Sequence, residues 1–298
     1  MSNRLEKLSA DEKLNLITAI AQDQHAKARE IIFGQAPTVT PDIVQETKAD
    51  KPASLDSLDL APEQKAKLLG MLESYETATL TAREDFGVKD IPSQAEISAH
   101  VLELGKERLE KILSITGKPG LVIEPANHSM QKLHQKMNAN LHYENQNEAH
   151  LENGYQWSKS DHKVSVWIVD KVSNSAVVPG QRPGKQRNDE QLRVCQAYYK
   201  QNGMELASDH TYAVALQQSL RAYKAALEKG EDNPEQHILD FCGRPQETVT
   251  MFDQEHNSTI SKVAYGDFSP VKRGVNFSWL YPGVQSDGLR ARGAVQLM

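Results

Sequence analysis

The sequence predicts an α+β protein in which a helical N-terminal region precedes a domain built on short strands. Three patterns carry that expectation. Apolar residues recur every three or four positions over much of residues 1–117, which is the period of amphipathic helices. The segment Lys163-Val-Ser-Val-Trp-Ile-Val-Asp170 is apolar on both faces, as expected of a strand in the middle of a sheet. Near the C-terminal end, Val275, Phe277 and Trp279 alternate with Asn276 and Ser278, the period of a strand that buries one face and leaves the other free.

In chain order, Leu5, Leu8, Leu14, Ile17, Ile20 and Ala21 place an N-terminal helix in residues 1–34, and Gly34 and Pro37 end it. Residues 35–58 are rich in Pro, Thr, Asp and Lys. They hold too few large apolar groups to offset their ordering entropy and read as a linker. Asp59-Leu-Ala-Pro-Glu63 starts a second helix with Pro in its first turn and carboxylates near its N-terminus. Leu68, Leu69, Leu72, Tyr75 and Leu80 form its buried side. Ser93-Gln-Ala-Glu96 is a capping box, in which a hydroxyl and a carboxylate each satisfy an orphan N–H. Ile97, Val101, Leu104, Leu109, Ile112 and Leu113 line the helix that follows, with Gly117 as its stop. Residues 59–117 therefore read as a helical hairpin, suited to homo-oligomerisation or attachment and carrying no concentrated chemistry.

The character changes at residue 118. Leu121-Val-Ile123, closed by Pro125, predicts a strand entering a second domain over 118–298. Met130, Leu133, Met137 and Leu141 make a narrow apolar stripe on a polar helix. Residues 178–189 form a Pro/Gly loop whose Arg182, Lys185 and Arg187 read as solvated charges. A helix around Leu192–Tyr199 follows. Asp209 then caps another, in which Tyr212, Leu216, Leu220, Tyr223 and Leu227 recur up to Gly230. Short segments lead to the C-terminal strand, the turn Leu280-Tyr281-Pro282-Gly283, a loop over 284–288 and a last strand from Leu289.

Composition narrows the function. At 39% apolar and 25% charged residues in a 298-residue chain, the protein is globular, and a net charge of −6 offers no general attraction to nucleic acid. Cys195 and Cys242 are too few for a disulfide scaffold and lack metal-site spacing; whether they pair is open. The charged start has no signal-peptide core and no window is apolar enough to span a membrane, so a cytoplasmic protein without a membrane partner is expected.

Two constellations could carry chemistry. His128, His134, His142 and His150, with Glu144 and Glu148, raise the alternative of a metal-dependent enzyme. Their histidine gaps of six and eight do not share a helical face, and no HExxH, paired CxxC or calcium loop is present. No metal, cofactor or enzymatic activity is therefore expected. Cys195 or Cys242 with His210 or His237 could form a thiolate–imidazole pair, but no Gly-rich elbow or oxyanion nest supports one. Cys195 lies in an apolar-periodic stretch and should be buried. Arg290 and Arg292, two apart, are either an anion clamp or framework cations holding loop carbonyls or a buried acid. The second reading is preferred, because guanidinium offers five fixed donors.

The tail itself carries a resemblance. Arg273-Gly-Val-Asn-Phe-Ser-Trp279, Pro282-Gly283 and Asp287-Gly-Leu-Arg-Ala-Arg-Gly-Ala-Val295 resemble the variable segment of target proteins diversified by diversity-generating retroelements. Those proteins resemble C-type lectins and formylglycine-generating enzymes. The resemblance implies a C-type-lectin-like domain over 118–298, with a short irregular antiparallel sheet and a possibly hypervariable surface that recognises a protein or other macromolecule without catalysis. Val275, Phe277, Trp279, Arg290 and Arg292 would then be framework. Tyr265, Asp267, Ser269, Lys272, Asn276, Ser278, Leu280, Tyr281, Val284, Gln285 and Ser286 would face the ligand. The oxidase is not carried over, since no cysteine follows Cys242, and neither Glu-Pro-Asn nor Trp-Asn-Asp of calcium-dependent sugar binding is present. A structural scaffold protein is the remaining alternative.

Overall fold

The computed structural model describes residues 58–126, 150–151, 155, 163–241, 249–255, 262–269 and 274–298. The expected helix over 1–34, the linker up to residue 57, the Met130–Leu141 stripe, Lys272 and Cys242 lie outside these residues. So does the histidine and glutamate cluster, apart from the backbone of His150.

Helix α1 (Pro62–Glu73) begins with Pro at its first position, where the missing N–H has no intrahelical partner to lose. It runs through Ser74 into α2 (Tyr75–Leu80) and a π-turn over Thr81–Asp85. The capping box at the start of α3 (Gln94–Glu103) forms as expected: Glu96 N donates to Ser93 Oγ at 3.2 Å and Ser93 N to Glu96 Oε2 at 2.7 Å. The Ser93 hydroxyl, which donates to Glu96 Oε2 at 2.7 Å, and then the Ser93 N–H hold the Glu96 carboxyl below its usual range. The single helix expected from 93 to 117 is broken at Gly105, whose φ of +74° suits glycine, and α4 (Lys106–Ile115) starts after it. The break lets Ile97 and Val101 on one helix and Leu109, Ile112 and Leu113 on the other all become fully buried.

Two sheets follow among the described residues, where one short antiparallel sheet was expected. The first holds β1 (Pro119–Glu124), β3 (Ser165–Asp170), β9 (Gly293–Gln296) and β4 (Glu205–Leu206) in the order β1-β3-β9-β4, antiparallel throughout. As its double apolar face predicted, β3 is an inner strand. The second is mixed, in the order β2-β7-β6-β5-β8, built from β2 (His150–Leu151), β5 (Val249–Glu255), β6 (Val263–Ser269), β7 (Gly274–Leu280) and β8 (Leu289–Ala291). Helices α5 (Asn188–Gln201) and α6 (Asp209–Glu228) complete an α+β fold. Ser208, one residue before the expected Asp209, caps α6 by accepting from Thr211 N at 3.0 Å.

The helices over 59–117 are not set apart from the strands. One buried cluster runs from Leu58 to Val295, and α1 and α2 pack on β1. Ser74 Oγ even accepts the outward N–H of Leu121 at 2.8 Å, covering a group on an edge strand that would otherwise need water.

Strand β7 does not pair with β8; it pairs antiparallel with β6, Gly266 opposite Phe277 and Asp267 opposite Asn276, and parallel with β2. After β7 the chain passes to the far edge of that sheet as β8, and within two residues joins the other sheet as β9. Arg292 sits at this crossing, between Ala291 and Gly293.

Candidate ligand-binding surface

Under the second sheet, Phe277 packs with Phe252 and Tyr212, ring centroids 6.1 Å away in each case, and Tyr212 and Phe252 lie 5.2 Å apart. Gly266 lies beneath both Tyr212 and Phe252, with no room for a side chain. This aromatic floor is tied to the sheet crossing through Asp240, which accepts from Tyr212 Oη at 3.0 Å, Thr250 Oγ1 at 2.6 Å and Arg292 Nη2 at 3.0 Å. Arg292 also donates to the carbonyls of Asp170, Val172 and Ser173. It is therefore a framework cation holding irregular backbone, the preferred one of its two readings. Burial, the largest single influence, opposes its charge, but Asp240, Tyr212 and Asp170 together outweigh it and hold the guanidinium above its usual value. Arg290 does not share its face, because the chain changes sheet between them. It is half-buried and donates to the carbonyls of Asp287 and Leu289.

Above this floor, the turn after β7 is held by its neighbour in space, residues 181–191. Asn188 N donates to Val284 O at 2.8 Å, Asp189 N to Pro282 O at 3.2 Å and Gly184 N to Ser286 O at 3.1 Å. Three buried amides add to this: Asn188 Nδ2 donates to Tyr281 O at 3.0 Å, Gln191 Nε2 to Ser286 O at 2.9 Å and Gln181 Nε2 to Leu289 O at 2.8 Å. Two of the donors are the first N–H groups of α5, which every helix leaves without an internal partner. All of these bonds end on main-chain carbonyls, five of them in the turn and the sixth on Leu289 where β8 begins. A bond from a turn side chain, Gln285 Nε2 to Lys185 O, is long at 3.5 Å. The shape of the turn therefore depends little on its side chains.

Those side chains divide sharply. Tyr281 is 53% exposed and Val284 49%, two of only five large hydrophobic residues so exposed among the described residues; Gln285 is exposed too, and Ser286 half-buried. Tyr281 stands edge-on to Trp279 at 5.5 Å, and Lys262 Nζ lies 3.0 Å from the Trp279 ring centroid. Trp279, expected to be buried, is only partly so. Of the other residues expected to face a ligand, Asp267, Asn276 and Ser278 are buried, contrary to that expectation. The expectation assumed one covered face, whereas side chains on both faces of β7 are buried, Val275 and Phe277 on one and Asn276 and Ser278 on the other. Tyr265 and Leu280 are half-buried, Leu280 packing on the core. Ser269 ends β6, and Lys272 lies outside the described residues.

No family model, curated protein or solved structure matches the chain.

Other features offer less chemistry. Cys195 is buried as expected, and burial pushes its thiol up to about 12, so it holds no thiolate near neutral pH. A cleft of about 600 Å³ is lined by Arg108, Lys200, Met204, Glu205 and residues 294–296 of β9, and holds no nucleophile–base pair. Among the described residues, no group of three His, Cys, Asp or Glu is placed to hold a metal, and no helix is long and apolar enough to cross a membrane. The amides Gln181, Asn188 and Gln191 were missed by sequence reasoning. They obey no periodicity, and only the Pro/Gly spacing of 178–189 drew attention to their neighbourhood.

Proposed function

We propose that the protein is a non-enzymatic binding protein that recognises a macromolecular partner through the Tyr281–Ser286 turn. In this reading residues 118–298 form a C-type-lectin-like domain, and the likeness of residues 273–295 to retroelement-diversified segments reflects the same use. One observation carries the reading: an exposed aromatic and an exposed aliphatic residue stand on a turn whose conformation is held by bonds to its backbone. Such a turn loses little entropy on binding, and its side chains can be exchanged without refolding it. Tyr281, Val284 and Gln285 are the contact residues. Asp267, Asn276 and Ser278 belong to the framework, and Asn276 is a stability position.

The test is a pull-down from the source cell with full-length protein and with Y281A/V284A, whose melting temperatures should agree. A partner recovered by the wild type and lost with the variant supports the reading. Equal recovery by both contradicts it. The diversification element has its own test in the flanking DNA, where a reverse-transcriptase gene beside a near-copy of the 3′ end, differing at adenines, is expected.

A further inference from the structure

The side chains bordering the turn carry a charge pattern that binding alone does not require. Arg182, Lys185 and Arg187 are exposed on the segment bonded to the turn. The bend that presents the first two is stiff: Lys185 N and Gln186 N donate to Arg182 O at 3.1 and 3.0 Å, and Arg182 N donates to Gln186 Oε1 at 2.6 Å. Gly184, at a φ of +67°, makes that bend feasible. Arg187 is matched by a two-point bond to Asp189, which also holds Arg193, while Glu190 accepts the Arg187 N–H. Arg182 and Lys185 have no ion pair among the described residues, and the one further acid of the two loops, Asp287, is exposed beside Gly184. Lys262 adds a cation over Trp279. In a chain of net charge −6, an apolar centre of Tyr281 and Val284 is thus bordered by unmatched positive charge.

We propose that this surface takes an acidic protein face, with Tyr281 and Val284 filling the apolar centre and Arg182 and Lys185 meeting carboxylates at the rim. The proposal rests on the binding reading above. An apolar centre inside a charged, solvated rim is the ordinary anatomy of a protein–protein interface. Rim charges act mainly by steering the encounter, so they select the sign of the partner. A nucleic acid is the poorer occupant, since two unmatched cations on one bend neutralise too few phosphates to hold it at physiological salt.

The experiment selects a yeast-displayed library of random peptides with the full chain at low salt, then measures the enriched peptides against R182E/K185E and Y281A/V284A. Both variants have exposed side chains, and their melting temperatures are checked first. The expected pool is net acidic and binds R182E/K185E about tenfold more weakly, a difference that shrinks at about 0.5 M salt. A neutral or basic pool that loses Y281A/V284A but keeps R182E/K185E overturns the charge proposal and leaves the binding reading intact. A pool indifferent to both variants, or no enrichment, overturns both. A single-stranded oligonucleotide bound more tightly than any enriched peptide also overturns the proposal.

Discussion

Arg292 Nη2 and Asp240 Oδ1 face each other at 3.0 Å, with neither side chain reached by solvent. The pair stands where the chain leaves one sheet for the other, and Arg292 spends its remaining donors on carbonyls and on Thr250 Oγ1. Removing one member strands a buried charge, which is worse than losing the attraction itself. R292M should cost about 3–5 kcal/mol in equilibrium urea unfolding. D240N/R292M should recover part of that loss, because the orphaned carboxylate is gone. A loss for R292M within the scatter of surface substitutions would remove the crossing from the account.

Lys171 sets a pH dependence. Its Nζ donates to Leu121 O at 2.7 Å and to Gln218 Oε1, both uncharged, and burial followed by the nearby Lys118 charge lowers it to about 7. The unfolded chain keeps the ordinary value near 10.5. Between these values the unfolded state holds a proton that the folded state has shed, so this group makes stability rise with pH. Wild type should therefore gain on K171M between about pH 7 and pH 9, where the difference between the two cancels other groups. Parallel stability curves would show that Lys171 keeps its proton when folded.

Cys195 should be nearly inert. With its thiol pushed up to about 12, its thiolate fraction near neutral pH lies some three orders of magnitude below that of a free cysteine. In C242S, which leaves Cys195 as the only thiol, reaction with a disulfide reagent should follow unfolding and not the pH of the folded protein. Rapid modification of folded C242S would contradict the burial described.

Two glycines should behave oppositely. A Cβ at Gly266 would lie 2.7 Å from Tyr212 Cε1 and 2.8 Å from Phe252 Cζ, whereas one at Gly283 meets nothing within 4 Å. G266A should cost about 1–3 kcal/mol through overpacking of the aromatic floor. G283A should unfold like wild type, since its backbone is not in the left-handed region. Equal effects in thermal melts would mean that the floor can yield to an added methyl group.

Much of the helical region was legible in sequence because local chemistry decides it. The Ser93–Glu96 box, Pro62 at a helix start and the buried positions of α3 and α4 follow from spacing alone. The inner position of β3 also followed from its two apolar faces. What sequence could not show was pairing over distance. Asn276 and Ser278 alternate as solvent-facing residues would, yet their face of β7 is buried as well, and Arg290 and Arg292 look like one pair until the chain changes sheet between them. The clamp on the turn is carried by main-chain atoms and by Gln181, Asn188 and Gln191. Neither leaves a periodic signature.

The claim that most needs testing is that residues 281, 284 and 285 vary freely on a fixed frame. Randomising Tyr281, Val284 and Gln285 together in the full chain, and sorting a display library by resistance to heat and protease, measures it directly. Most variants should survive as wild type does, while a matched library at Phe277, Asn276 and Arg292 should be almost wholly lost. Comparable losses in the two libraries would contradict the account, because the turn's side chains would then be part of what holds the fold.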